Sequence, residues 1–271
     1  MKKLKVLALV IMLIMMLAVS AAACGAGDTV PEELPEAKPE ELPEAKLYVV
    51  TFLDANLEAA VRDALRKPTG DITKEDMAKL TRLVARGDGI RNLSGLEYAV
   101  NLTSLDLLDN QITDITPLSG LTNLTELCLM SNQITDITPL AGLTNLTSLS
   151  LWDNQITDIT PLAGLTNLTE LCLMDNQITD ITPLAGLTNL TKLYLGHNQI
   201  TDITPLSGLT NLTELCLGHN QITDITPLVI NTGLDYGDII WLNNNPLDLT
   251  PGSQNMQDIE TLRAHGVDVR Y

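Results

Sequence analysis

The stretch LTSLDLLDNQITDITPLSGLTN, residues 102–123, decides the fold because it recurs with few changes along most of the chain. Six copies of this 22-residue unit follow one another without a gap, and they begin at Leu102, Leu124, Leu146, Leu168, Leu190 and Leu212. A weaker copy precedes them from Leu80, and a partial copy follows around Trp241. The periodicity predicts one array of stacked, similar units.

A single copy of the unit is too small to fold by itself. The complete copies have Leu or Ile at positions 1, 4, 6, 11, 14, 17 and 20, and burying seven such side chains stabilises by on the order of 10 to 20 kcal/mol. Ordering the 22 residues of one copy costs roughly 20 to 40 kcal/mol. Because only stacking on neighbouring copies can close this difference, the number of copies is a requirement for stability.

The spacing L-x-x-L-x-L-x-x-N within each copy matches the signature of leucine-rich repeats. The repeated sequence NQITDITPLAGLTNLT and the helical segment before the array together resemble internalin-type bacterial leucine-rich-repeat proteins. The resemblance covers roughly residues 50–250. The resemblance implies an α/β solenoid, a right-handed horseshoe with a parallel β-sheet on the concave side and short 3₁₀ turns on the convex side. It also implies protein ligands, but no ligand-contacting residue of that family can be transferred to this sequence.

Short helices are predicted at both ends of the array. Asp54 can cap a first helix and Thr73 a second. The first helix would bury the face formed by Leu57, Val61, Ala64 and Leu65. At the other end, Ser253 can cap a helix that Gly266 ends, and residues 267–269 predict a last strand. We therefore expect a helical N-terminal cap and a C-terminal cap of helix and strand.

The N-terminal residues have the pattern of an export signal, with a basic start and an unbroken apolar run from Val6 to Val19. The small residues Ala21–Ala23 before Cys24 resemble the lipobox of bacterial lipoproteins, although Ala21 stands where that motif prefers Leu. The resemblance implies a lipid on Cys24 that holds the protein on the outer face of a bacterial membrane. The same residues also fit an ordinary cleavage site after Ala23, which would give a secreted protein.

The octapeptide PEELPEAK occurs twice between Pro31 and Lys46, which predicts an extended, solvated spacer. The predicted organisation is a signal peptide over 1–23, a linker over 24–46, an N-terminal cap over 47–79, repeats over 80–249 and a C-terminal cap over 250–271.

The chain is strongly acidic, with 34 acidic and 16 basic residues and a net charge of −18. Such a surface repels the phosphates of nucleic acids and anionic lipid headgroups, so neither is an expected direct partner. A protein or peptide is the partner we expect, with a glycan or a cation as further candidates.

Most differences between the copies fall at positions 3, 5, 7 and 8, which should project from the concave sheet because the strand leucines point inward. The candidate ligand-binding residues are Leu108, Met130, Trp152, Met174, Tyr194, Glu126, Glu170, Lys192 and Glu214. Those at position 7 would form an apolar strip centred on Trp152. Alternatively, the strip residues pack against the sheet edge or the loops.

Two constant columns indicate structure rather than binding. The Asn at position 9 can satisfy backbone groups of the adjoining coil, and the Asp at position 13 can cap the turn that follows it. A ladder of cation sites along the Asp column is the alternative reading.

The remaining reactive residues do not predict an enzyme. Three cysteines recur at every second copy: Cys128, Cys172 and Cys216. Strands two apart lie roughly 9.6 Å from each other, beyond the reach of a disulfide, so free thiols are expected. His197 and His219 beside Asp175 could form a weak surface zinc site, but no closed ligand set is visible. We predict no catalytic residues, no metal and no cofactor.

These observations predict a non-enzymatic binding module that presents a concave face for protein–protein interaction at the bacterial cell envelope. The alternative is a structural or self-associating spacer of the envelope.

Overall fold

A computed structural model describes residues 48–271, which lie within one compact unit from Lys46 to Tyr271. The predicted signal peptide, Cys24 and the linker over 24–46 lie outside the described residues. The helices of the described part are α1 (Ala55–Leu65), α2 (Lys74–Met77), α3 (Thr226–Ile230) and α4 (Gln254–Ala264). Within residues 48–271, no helix combines the length and the apolar character needed to cross a membrane.

Nine parallel strands form one sheet, in which each strand pairs with the next one along the chain. They are β1 (Arg82–Val84), β2 (Ser104–Asp106), β3 (Glu126–Cys128), β4 (Ser148–Ser150), β5 (Glu170–Cys172), β6 (Lys192–Tyr194), β7 (Glu214–Cys216), β8 (Ile239–Trp241) and β9 (Asp268–Arg270). Equivalent positions of successive copies face each other, as Leu105, Leu127 and Leu149 do. The predicted parallel sheet of a leucine-rich-repeat horseshoe is confirmed.

The opposite side of each copy before the sixth forms a short 3₁₀ turn, as predicted, whereas the sixth copy forms the short helix α3 there. The 3₁₀ turns span Leu96–Tyr98, Thr116–Leu118, Thr138–Leu140, Thr160–Leu162, Thr182–Leu184 and Thr204–Gly208. Between sheet and turns, the aliphatic positions of the six copies are at most 2% exposed up to Leu228. The core is therefore one continuous stack of leucine and isoleucine side chains.

The N-terminal cap begins with the two predicted helices. The Asp54 carboxylate accepts hydrogen bonds from the backbone N–H groups of Asn56 and Leu57, and Thr73 forms a capping box with Asp76. Leu57 is fully buried, but Ala64 is exposed, so the prediction that Ala64 belongs to the buried face is wrong. Ala64 instead lines an open cleft of about 850 Å³ between α1 and β1.

The C-terminal cap also follows the predicted order of helix and strand. Ser253 caps α4, and Gly266 ends it with a positive φ of 93°. The last strand begins at Asp268, one residue later than predicted, because Asp268 is the residue in register with Ile239 of β8.

Candidate functional site

A ladder of buried asparagines supports the strand ends. In the middle of the array, the Asn154 amide donates to the carbonyls of Leu129 and Leu151 at 3.0 and 3.1 Å, and its oxygen accepts from the Ile134 N–H at 3.0 Å. The same arrangement recurs at Asn110, Asn132, Asn176, Asn198 and Asn220. The structural reading of position 9 is confirmed.

The aspartates at position 13 cap the 3₁₀ turns. The carboxylate of Asp158 accepts a hydrogen bond from the Thr160 N–H at 2.8 Å. The hydroxyl of Thr160 and this N–H together hold the pKa of Asp158 below its usual value. The same bond to the second following residue occurs at Asp114, Asp136, Asp180, Asp202 and Asp224. These hydrogen bonds show that the aspartates cap the turns and do not form a ladder of cation sites.

The candidate apolar strip consists of Leu108, Met130, Trp152 and Met174, each of which lies two residues after the end of one of the strands β2 to β5. Backbone hydrogen bonds between neighbouring copies, such as Ser131 N–H to the Trp152 carbonyl at 2.8 Å, bring the four residues together. Trp152 is 39% exposed, and the other three are half-buried. The strip is thus partly packed, with the Trp152 indole as its most accessible member.

The indole of Trp152 is held by a hydrogen bond across the sheet. Its Nε1–H donates to the Asp175 carboxylate at 2.5 Å. On the far side of Met174, a Cβ atom added at Gly196 would come within 3.3 Å of the Met174 methyl group. The Met174 side chain therefore leans over Gly196. Both contacts restrict the side chains of Trp152 and Met174.

The polar candidates pair mainly with one another. Tyr194 donates its hydroxyl hydrogen bond to Glu214 at 2.5 Å, and Lys192 forms an ion pair with Glu170 at 3.0 Å. Burial and the Glu214 carboxylate both raise the pKa of Tyr194. Glu126 is not part of this group, because Ser148 lies between it and Glu170 in the sheet.

Trp241 lines the same face, although it was not among the residues predicted from the sequence. Trp241, Tyr194, Cys216 and Asn243 surround a shallow depression of about 230 Å³. Trp241 pairs with Cys216 of β7 in the sheet. Its partial copy keeps too little of the repeat sequence for this position to be recognised easily. Aligning Ile240 with the strand leucines would have placed Trp241 at position 5.

Position 8 has a backbone requirement that also went unrecognised. All six residues at this position adopt positive φ between 51° and 58°: Asp109, Ser131, Asp153, Asp175, His197 and His219. Asp, Asn and His tolerate this left-handed conformation better than most other residues with a side chain. Variation at position 8 is therefore restricted by the turn, and it is weaker support for ligand contact than variation at position 7.

Neither the cysteines nor the histidines form a reactive centre. The three described cysteines are free and half-buried, and burial raises the pKa of Cys128 and Cys172, which disfavours the nucleophilic thiolate. The imidazoles of His197 and His219 stack with their centres 3.9 Å apart. Within residues 48–271, no three His, Cys, Asp or Glu side chains are grouped as metal ligands would be.

Known proteins share both the repeats and the architecture. The family described as Leucine Rich repeats (2 copies) matches residues 100–142, 144–186 and 188–229. The crystal structure of internalin C2 from Listeria monocytogenes is 43% identical, with a TM-score of 0.69 over 75% of this chain and 90% of that one. The chain belongs to the internalin family of leucine-rich-repeat proteins.

Other relatives give the same fold over smaller parts of their length. A second internalin structure from Listeria monocytogenes is 39% identical with a TM-score of 0.62, covering 73% of this chain and 65% of that one. A leucine-rich-repeat protein of Leptospira interrogans is 27% identical with a TM-score of 0.62, covering 74% and 51%. Internalin H of Listeria monocytogenes is 40% identical over 66 residues, 24% of this chain. That match spans only 12% of internalin H.

Proposed function

We propose that this internalin-family chain is a non-enzymatic module that binds a protein or peptide through its concave face. The observation that supports this most is the contiguous apolar strip, whose central Trp152 stays 39% exposed. A large, rigid aromatic ring flanked by methionines is the composition of a protein-binding hot spot. The contact residues are Leu108, Met130, Trp152, Met174, Tyr194, Glu126, Glu170, Lys192 and Glu214.

The geometry of the polar groups supports binding over catalysis. A general base or a nucleophile needs a partner that activates it and an open position for the substrate. Here Tyr194, Glu214, Lys192 and Glu170 are engaged in pairs with each other. Such pairs fix the shape and charge of a surface.

Placing negative charge in the strip is expected to abolish binding of the partner. The test is affinity capture from envelope and culture-medium proteins of the producing bacterium, using the unit Lys46–Tyr271 and its double variant Met130→Glu, Trp152→Glu. Loss of a hot spot should weaken capture by at least about tenfold. The matched control is Gln133→Glu, Gln155→Glu, which adds the same charges at exposed positions of the same two copies.

A partner held by the unchanged unit and by the control, but lost by the strip variant, is the expected result. Equal capture by all three proteins would place the binding site elsewhere. If nothing is captured and sedimentation shows concentration-dependent assembly, the alternative of a self-associating envelope spacer is favoured.

We further propose that the chain is exported and that a lipid on Cys24 anchors it to the outer face of the membrane, with residues 24–46 as a spacer. The support is the sequence Ala21-Ala22-Ala23-Cys24 after a basic start and an apolar run. Reach from the membrane would leave the concave face accessible to a partner.

Replacing Cys24 with Ser is expected to remove the lipid and the membrane association. Cells labelled with palmitate should show the label on the unchanged protein and on a Cys128→Ser control, and none on the Cys24→Ser variant. An unlabelled wild-type protein found in the medium would instead establish ordinary cleavage after Ala23.

A further inference from the structure

Charge divides the described chain into two parts. Residues 48–91 carry eight basic and seven acidic side chains, whereas residues 92–271 carry three basic and 20 acidic ones. All three of these basic residues are engaged within the protein: Lys192 with Glu170, Arg270 with Asp268, and Arg263 with the Val269 carbonyl. The negative charge around the apolar strip is therefore largely uncompensated.

Two carboxylates stand at the edge of the strip beside its exposed ring. Asp153 directly follows Trp152 and is exposed, and its carboxylate has no hydrogen-bond or ion-pair partner among residues 48–271. Asp175 accepts the indole hydrogen bond through one oxygen, and its other oxygen lies 3.8 Å from Nδ1 of His197. Asp175 thus contacts the ring directly, and the exposed Asp153 is the next residue along the chain after Trp152.

This arrangement selects among partners by charge. The face of an indole attracts a cation through its quadrupole, and the neighbouring carboxylates add to the attraction. An acidic partner would meet like charges at the same place, and an apolar partner would have to cover Asp153 without giving it a counter-charge.

We infer that the partner segment is cationic and amphipathic: its apolar side chains lie on the strip, and a lysine or arginine lies over Trp152 between Asp153 and Asp175. This inference rests on the proposed function. It adds to that function the chemistry of the protein segment that binds the strip. The proposed ligand is a protein segment, because the apolar strip extends over four copies and several apolar side chains are needed to cover it.

Synthetic peptides test the inference without the natural partner. The probes are a fluorescein-labelled peptide of alternating Lys and Leu, one with Glu in place of Lys, and one with Ser in place of Leu, measured by fluorescence anisotropy against the unit Lys46–Tyr271. The Lys–Leu peptide is expected to bind best, and its affinity should fall as salt is added. Binding of the Glu–Leu peptide as tight as that of the Lys–Leu peptide, or no binding of the Lys–Leu peptide, overturns the inference.

A charge-matched pair of variants locates the contact. Asp153→Asn with Asp175→Asn removes two charges beside Trp152, and Asn tolerates the left-handed backbone there. Asp158→Asn with Asp180→Asn removes two charges from the same copies at the 3₁₀ turns, where Asn still caps. The first pair should weaken Lys–Leu binding by about tenfold and the second by less than about twofold.

Equal weakening by both pairs would mean that only overall charge is sensed, and the inference would be wrong. Its failure is distinguishable from failure of the proposed function. If the strip variant Met130→Glu, Trp152→Glu loses the captured partner while Asp153→Asn, Asp175→Asn keeps it, the strip binds a partner that is not cationic.

Discussion

Replacing Asn154 with Ala is expected to lower the free energy of unfolding by about 4 kcal/mol. The side chain is buried, and its removal leaves the Ile134 N–H and the Leu129 and Leu151 carbonyls without these hydrogen bonds inside the core. A buried donor without a partner costs more than the net worth of the bond it lost, because water cannot reach it. Urea unfolding followed by circular dichroism measures the change.

An exposed asparagine of the next turn provides the control. Asn167 donates one hydrogen bond, to the Thr144 carbonyl at 2.8 Å, and it is exposed to solvent that can replace the bond. Asn167→Ala should cost less than about 1 kcal/mol. Similar losses for Asn154→Ala and Asn167→Ala would show that the buried ladder does not carry the stability assigned to it.

The asparagine ladder also connects the core to the proposed binding face. The Asn154 amide reaches the carbonyl of Trp152 at 3.3 Å, and Asn176 reaches that of Met174 at 3.0 Å. These are the backbone positions from which the strip side chains emerge. The ladder therefore holds the backbone of the strip residues in register.

Much of the fold could be predicted from the sequence because each copy repeats the same constraint. Leu105, Leu127 and Leu149 each had to point inward, and parallel stacking is the arrangement that lets all of them do so at once. The caps followed from local signals of one or two residues, such as the side chains of Asp54 and Ser253 at helix starts.

The candidate site was less predictable, because it depends on contacts between copies and on backbone geometry. The register showed which residues are neighbours, but not that Trp152 donates to Asp175 or Tyr194 to Glu214, since these contacts depend on side-chain conformations. The left-handed backbone at position 8 was not predicted, because variation at that position was interpreted only as a sign of ligand contact. Trp241 was not predicted as a site residue, because only the six clear copies were compared position by position and Trp241 lies in the partial copy after them.

Replacing Gly233 with Ala is expected to have a larger effect than most core substitutions, lowering the free energy of unfolding by at least about 3 kcal/mol. A Cβ at this position would lie 1.9 Å from the carbonyl oxygen of Thr210 and 2.5 Å from its carbonyl carbon. Both contacts are with backbone, so no side-chain rotation can relieve them, and the segment between α3 and β8 must move. Urea unfolding measures the loss.

The control is Gly164→Ala, where the added Cβ meets no atom within 4 Å and the backbone does not have a positive φ. That substitution restricts the unfolded chain and should stabilise by about 0.4 to 1 kcal/mol. If Gly233→Ala is equally harmless, the segment does not lie against Thr210 as described. If it is as damaging as expected, the chain between α3 and β8 lies against the Thr210 backbone with no room for a side chain.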